Sequence, residues 1–347
     1  MALNLPTLMG GNVPSDSWCL NLDELLKGHK QMVANALNLL ENRSPSLSDQ
    51  VSRLLNFLSQ NAKPYSHVIG VTGPPGVGKS SLIARIIPIY RRQKKSVGII
   101  SIDPSSRKSG GAILADRTRI THDPKDNGVF IRSMATGQFL GGLSLKTRHC
   151  LTLFEAIFDR TIIETVGVGQ SETEIEDVSD TVVFVVQPAS GDMLQFMKSG
   201  IMEIPHILVL NKTDLEPLAQ KTQNELAAFA SLGDLNPKGR RPVLIPVSAL
   251  QSRGQGKLVA AIEYHRQRLE QDHNMARRRD QRRIVWAYRL YREQFGNFGV
   301  QALGGREAIY RCLKTEKITN PIEASKRLEK LMWKYILRTH KIPEGSN

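Results

Sequence analysis

The chain has 347 residues, 40% of them hydrophobic and 23% charged, with a formal net charge of +14. That length holds one large domain with an appendage, and no apolar run approaches the roughly 20 residues needed to cross a bilayer. The opening MALNLPTLMGGN lacks the basic start and apolar centre of a secretory signal and is poor in arginine. Cys19, Cys150 and Cys312 are odd in number and far apart, so neither a disulfide framework nor a zinc spacing is expected. A cytoplasmic protein without a membrane partner is the expectation.

In chain order, Pro6, Gly10, Gly11 and Pro14 break any period over residues 1–20, and a flexible lead is expected. From Leu22 to about Asn61 the spacing turns helical. Leu25, Met32, Ala36 and Leu39 fall near one face, and Pro45 is expected to start a second helix carrying Val51, Leu54, Leu55 and Leu58. Residues 1–62 are therefore read as a lead with a helical extension.

Next comes HVIGVTGPPGVGKSS, His67 to Ser81, in which an apolar β-type run enters Gly73, Pro74, Pro75, Gly76, Val77, Gly78, Lys79, Ser80 and Ser81. This fills G-x-x-x-x-G-K-[ST], the phosphate-cradling P-loop. The glycines allow successive backbone N–H groups to face a polyphosphate, with the positive end of the next helix behind them. Lys79 is expected at the β- and γ-phosphates and the Ser80 hydroxyl on magnesium. Pro88, nine residues on, is expected to kink or shorten that helix.

Strand-like runs then alternate with helical ones: 68–72, 97–102, 128–133, 161–165, 181–186, 206–211 and 243–248. The fold class expected is α/β, a P-loop NTPase with a mostly parallel sheet and helices on both faces, plus N- and C-terminal helical extensions. Ligands of such sheets sit beyond the carboxyl ends of the strands, so the motifs should share one edge. Residues 63–273 are assigned to this domain, and 274–347 to a C-terminal helical region used for dimerisation.

Asp103 ends the second strand, where a carboxylate can hold magnesium or its water shell, or simply form an Asp-Pro turn. Asp116 is a weaker acidic candidate. Glu164 ends TIIET with Gly167 three residues later, the spacing of the Asp-x-x-Gly of many G-proteins. There the carboxylate reaches the metal or orients a water. Asn211, Lys212 and Asp214 form N-K-x-D behind a strand. The Asp214 carboxylate matches guanine's ring N–H and exocyclic amine, a pair adenine does not offer. Ser248, Ala249 and Leu250 end the next strand, where their backbone could meet the guanine oxygen.

Asp192, Gln195 and Lys198 share a helix face, which taken alone reads as a solvated stripe. Beyond Gly254 the chain is mostly helical. Arg277, Arg278, Arg279, Arg282, Arg283, Arg289 and Arg292 alternate with Trp286, Tyr288, Leu290 and Tyr291. This is an amphipathic helix with an aromatic packing side, preferred over a nucleic-acid surface because no arm or motif accompanies it. Gly296, Gly299, Gly304 and Gly305 mark a break, and Pro321 begins a last helix.

Together these segments resemble the MeaB/ArgK-type G-proteins, the GTPase chaperones of methylmalonyl-CoA mutase and related cobalamin-dependent acyl-CoA mutases. The residues that carry the resemblance are GPPGVGKSS, IDPSS, GGAILADR, FIRSMAT, ETVGVGQSE, GDMLQFMKSGIMEI, NKTD and VSAL. It implies a homodimeric GTPase that binds its mutase and gates cobalamin, handling that cofactor only through the partner. It also implies Asp103, Asp116 and Glu164 around magnesium and the γ-phosphate, and Asp192, Gln195 and Lys198 in a segment that communicates with the mutase. Two stretches depart from the family pattern, Arg107-Lys108 and Gly137-Gln138. A nickel-inserting maturation GTPase is the runner-up. His67, His122, His149, Cys150 and His206 show no convincing ligand spacing for it.

Overall fold

The computed structural model describes residues 20–42, 47–103, 120–135, 145–165, 174–188, 204–231, 241–272, 274–315, 318 and 320–339. Two compact units divide the chain: Met1–Asn42 with Ala62–Arg268, and Arg43–Asn61 with Leu269–Asn347. Among the described residues no helix is long and apolar enough to cross a membrane.

The first unit is built on strands β1 (His67–Thr72), β2 (Val97–Asp103), β3 (Val129–Ala135), β4 (Arg160–Glu164), β5 (Thr181–Val186), β6 (Ile207–Leu210) and β7 (Val243–Pro246). They form a seven-stranded sheet in the order β3-β2-β4-β1-β5-β6-β7. Every pairing is parallel, from Ile69 beside Ile162 and Thr181 to Leu210 beside Pro246. A parallel sheet needs cover on both faces, which is why β1, β4, β5 and β6 are buried along their whole length. β1 has β4 on one side and β5 on the other. The chain places β2 and β3 on one side, returns β4 between β2 and β1, and then adds β5, β6 and β7 on the other side, so the direction of winding changes at β1 and a crevice lies beyond its carboxyl end.

Alternation along the strands assigns the layers. Ile69, Val71, Ile99, Ile162, Val183 and Val185 meet α4 (Lys79–Arg92) through Leu82, Ile83, Ile86 and Tyr90, and α7 (Gln255–Gln271) through Leu258 and Ile262. Residues one step out of phase, Phe184, Val186, Leu208 and Leu210, meet Leu226 of α6 (Leu218–Ser231). On the β2–β3 side Phe130, Phe154 and Phe158 pack together, the last two at and beyond the end of α5 (Leu145–Ile157). Burying each such large side chain contributes about 1.5–3 kcal/mol. The helices α1 (Leu22–Leu26), capped by the Asn21 side chain at the Asp23 and Glu24 amides, and α2 (Lys30–Glu41) pack on α5.

At the amino ends of the strands a buried ion pair ties sheet to helix. Arg160 is 1% exposed and donates to both Glu263 carboxylate oxygens, Nε to Oε1 at 2.7 Å and Nη2 to Oε2 at 2.6 Å. Burial of Glu263 works to raise its pKa, but the Arg160 and Arg266 guanidiniums hold it below the usual carboxylate range.

The second unit contains α3 (Ser48–Gln60), α8 (Asn274–Ala302), α9 (Arg306–Thr315) and α10 (Pro321–Thr339). The basic helix buries its aromatic side as expected, with Tyr288 and Tyr291 in a cluster that includes Ile309, Leu313, Leu328 and Met332. Asn320 caps α10 through the Ile322 amide and donates to Asn56 Oδ1 of α3 at 2.8 Å.

One expectation changes. The helix carrying Pro88 runs unbroken from Lys79 to Arg92. Pro88 lies on its exposed side, where water can serve the carbonyl that loses its amide donor. The glycine break is present as expected: Gly296 (φ +60°, ψ −158°) is non-helical and divides α8 into two helical segments, the second runs through Gly299 to Ala302, and Gly304 and Gly305, also at positive φ, follow its end. The expected helix carrying Val51, Leu54, Leu55 and Leu58 is α3, from Ser48, and Pro45 lies outside the described residues.

Candidate functional site

The loop between β1 and α4 takes a shape that excludes side chains at two positions. Gly73 has φ +139°, and a Cβ there would stand 2.1 Å from the Val185 carbonyl oxygen. Gly78, at φ +91°, precedes the first turn of α4 and would meet the Asn211 amide nitrogen at 2.5 Å. Only glycine lets the loop pass this close to β5 and to the start of the N-K-x-D segment. Lys79 is 7% exposed, and its ammonium donates to the carbonyls of Gly73 at 2.7 Å and Pro74 at 2.9 Å. A cation is thereby held inside the concavity of the loop, over the amino end of α4.

Ser80 donates from Oγ to Glu164 Oε1 at 2.6 Å. Glu164 is the last residue of β4, beside β1, and is 5% exposed. Thr165 and Thr72, each just past or at its strand end, share a hydroxyl hydrogen bond of 2.8 Å that fixes this spacing. A hydroxyl and a carboxylate offering only oxygen at a helix amino end form a donor set that fits a hard divalent cation such as magnesium. Asp103 is the last residue of β2, the strand next to β4, and lies two positions beyond the Ser101–Glu164 pairing along the same edge. Asp116, Gly167, Asp192, Gln195, Lys198, Arg107, Lys108, Gly137 and Gln138 lie outside the described residues.

Across β5, the ends of β6 and β7 carry the second half of the site. Asn211 is 1% exposed and joins three segments: its amide donates to the Val77 carbonyl in the phosphate loop at 2.8 Å and accepts from the Ala249 N–H at 3.2 Å. Lys212 has φ +57° and donates to the Gly76 carbonyl at 2.8 Å. Its stem therefore lies across the mouth of the loop. Asp214 accepts from the Ser248 hydroxyl, which holds its carboxyl below the usual carboxylate range. It is ionised at neutral pH and can accept a pair of N–H donors. A cleft of 660 Å³ opens between Ser81, Ala84 and Arg85 of α4 and Asp214, Ala249 and Leu250 of these loops.

The family model for the methylmalonyl-CoA mutase-associated GTPase MeaB matches residues 33–301. The chain belongs to the MeaB family of GTPases. It is accordingly a P-loop GTP hydrolase. A Pyrococcus horikoshii protein named as a GTPase is 39% identical over 74% of this chain and 80% of its own length. A Mycobacterium bovis protein so named is 36% identical over 87% of this chain and 91% of its own. The mouse mitochondrial methylmalonic aciduria type A homolog is 32% identical over 78% of this chain and 68% of its own. A crystal structure of an LAO/AO transport system kinase covers 93% of this chain and all of its own at a TM-score of 0.65, with 23% identity, and shares the fold.

Within the MeaB framework the sequence motifs converge in space, with Gly73–Ser81, Glu164, Asn211–Asp214 and Ser248–Leu250 at the carboxyl edge of the sheet. Ser248 does more than its backbone was expected to do. Its side chain braces Asp214, while its main chain is bridged to Arg253 in both directions, at 2.9 and 3.1 Å. Gln255, Arg85 and Thr121 were not singled out from sequence, yet Gln255 Nε2 donates to the Ser248 carbonyl at 2.8 Å and the other two line the cleft. No local motif marks them, because each acts through the tertiary approach of a helix or a strand entry.

Proposed function

We propose that the protein is a magnesium-dependent GTPase whose nucleotide state gates cobalamin delivery to, and protects, a cobalamin-dependent acyl-CoA mutase, acting as a cytoplasmic homodimer. The observation that carries the nucleotide half is the stitching of phosphate loop to base loops through Asn211, with Ser80 on Glu164 beside it. In this reading the loop amides and Lys79 take the β- and γ-phosphates. Lys79 leaves the Gly73 and Pro74 carbonyls for phosphate oxygens, so it arrives already oriented. Ser80 and Glu164, with Asp103 on the neighbouring strand, hold the magnesium, which neutralises charge on the transferring phosphoryl group. Glu164 also stands where an attacking water can be oriented. Asp214 pairs with guanine's N–H and amine, and the Lys212 stem covers one face of the base. Adenine would leave the carboxylate desolvated and unmatched, a cost of about 1–3 kcal/mol or more.

The mutase half is supported by the family match and by the name of the mouse relative. Asp192, Gln195 and Lys198 are proposed as the partner-sensing segment, Asp116 and Gly167 as further γ-phosphate groups, and residues 274–347 as the dimerisation region. The test is twofold. Purified protein should hydrolyse GTP in preference to ATP, and GTP-loaded protein should retain an acyl-CoA mutase subunit that GDP-loaded protein does not. Equal turnover of the two nucleotides would overturn the first half, and loss of nucleotide-dependent mutase binding the second.

A further inference from the structure

Each peptide of the Ser248–Leu250 loop needs its own anchor. The 248–249 peptide is held on both sides: its carbonyl accepts from Arg253 N and Gln255 Nε2, and its N–H, that of Ala249, donates to Asn211 Oδ1. The 249–250 peptide runs out toward the cleft, where Leu250 is 77% exposed. It is held by Arg85, whose Nε donates to the Ala249 carbonyl at 3.0 Å. A trans peptide is planar, with its C=O and N–H pointing in opposite directions. Fixing the Ala249 oxygen on α4 therefore fixes the direction of the Leu250 N–H.

Arg85 can do this because Ser81, Ala84, Arg85 and Pro88 recur at helical spacing and line the same cleft. Arg85 lies six residues beyond Lys79 on one helix, which places it about 9 Å further along the axis. One rigid element thus presents an amine at the phosphate end and a guanidinium at the base end. The guanidinium also suits this task chemically. Its Nε–H lies in a rigid plane and cannot rotate away as an ammonium can.

We propose that Arg85 is a positioning residue for purine recognition, orienting the 249–250 peptide so that its N–H meets the ring carbonyl of a guanine nucleotide. The proposal rests on the base-site reading given above and adds to it a residue outside the N-K-x-D and Ser-Ala-Leu segments. Asp214 reads the N–H and amine side of the base, whereas Arg85 governs the carbonyl side without touching it. It also makes base binding depend on where α4 sits.

The test compares GDP with 6-thio-GDP, which keeps the ring N–H and amine but replaces the carbonyl oxygen with sulfur, a weaker acceptor. Titration calorimetry on the full-length protein should give about a tenfold loss of GDP affinity for Arg85→Ala, the scale of one positioned hydrogen bond, and about twofold or less for 6-thio-GDP. Arg85→Lys should recover only part of the GDP affinity, because a donor is restored without the rigid plane that holds it in place. In GTP hydrolysis the KM of Arg85→Ala should rise with kcat retained, and its melting temperature should match wild type. Equal losses for the two nucleotides, or no loss for either, would overturn the role of Arg85 and leave the base-site reading standing. A wild-type protein that binds ADP as tightly as GDP would remove that reading, and this inference with it.

Discussion

Replacing Asn211 by alanine is the most direct probe of how the site is assembled. Its amide is 1% exposed and joins the Val77 carbonyl at 2.8 Å to the Ala249 N–H at 3.2 Å. Alanine reaches neither. Each lost hydrogen bond is worth about 1 kcal/mol net, so the two together cost about 2 kcal/mol in the ordering of the loops, or roughly 30-fold in GDP affinity. Water entering the vacated space offsets part of this, because the freed groups are polar. Asn211→Asp separates the two contacts. It keeps an acceptor for Ala249 but sets a carboxylate against the Val77 carbonyl, so affinity falls while the Ala249 amide remains protected. The assays are calorimetric GDP titration and hydrogen exchange read at the Ala249 amide. If Asn211→Ala bound GDP within about twofold of wild type and left that amide as slowly exchanging as before, the idea that one side chain joins the two halves would be wrong.

Lys79→Ala should abolish GTP turnover; a circular dichroism melt beside the hydrolysis assay separates that loss from any destabilisation caused by leaving the buried Gly73 and Pro74 carbonyls without their donor. Asp214→Asn should lose guanine preference and gain affinity for xanthine nucleotides, whose second carbonyl faces the new amide donor; competition binding with GDP and XDP reads this directly. Gly73→Ala should be more damaging than Gly76→Ala, since a Cβ at Gly73 would stand 2.1 Å from Val185 O whereas none of the surroundings crowd Gly76; the comparison is of nucleotide affinity and soluble yield. Glu263 has its pKa lowered in the folded protein, so its contribution to stability is complete above the ordinary glutamate value near about 4.3 and is lost as pH falls through the lower folded value. Glu263→Gln should therefore cost about 3 kcal/mol at neutral pH and flatten the acid limb of the denaturation profile.

The sheet was legible because parallel strands are buried on both faces and appear as short apolar runs between polar turns. All seven expected runs became strands, with ends shifted by at most two residues. The placement of the phosphate loop, Glu164, Asn211 and Asp214 was legible because each directly follows or ends an apolar strand run. What sequence did not reveal depends on distance along the chain. Arg160 and Glu263 are separated by 103 positions, Asn56 and Asn320 by 264, and Arg85 and Ala249 by 164, so nothing in the neighbourhood of either partner announces the other. Pro88 misled for a different reason. Its cost to a helix depends on whether water reaches the carbonyl one turn back, which is a property of exposure and not of sequence.

The lodging of Lys79 on the Gly73 and Pro74 oxygens has a kinetic consequence for ligand exchange. An ammonium so placed is solvated by the protein itself whenever phosphate departs, so the vacated cradle does not need a stray anion to quiet its charge. On the proposed reading, exchange then swaps one set of oxygen neighbours for another, and the charge of the lysine is met in both states.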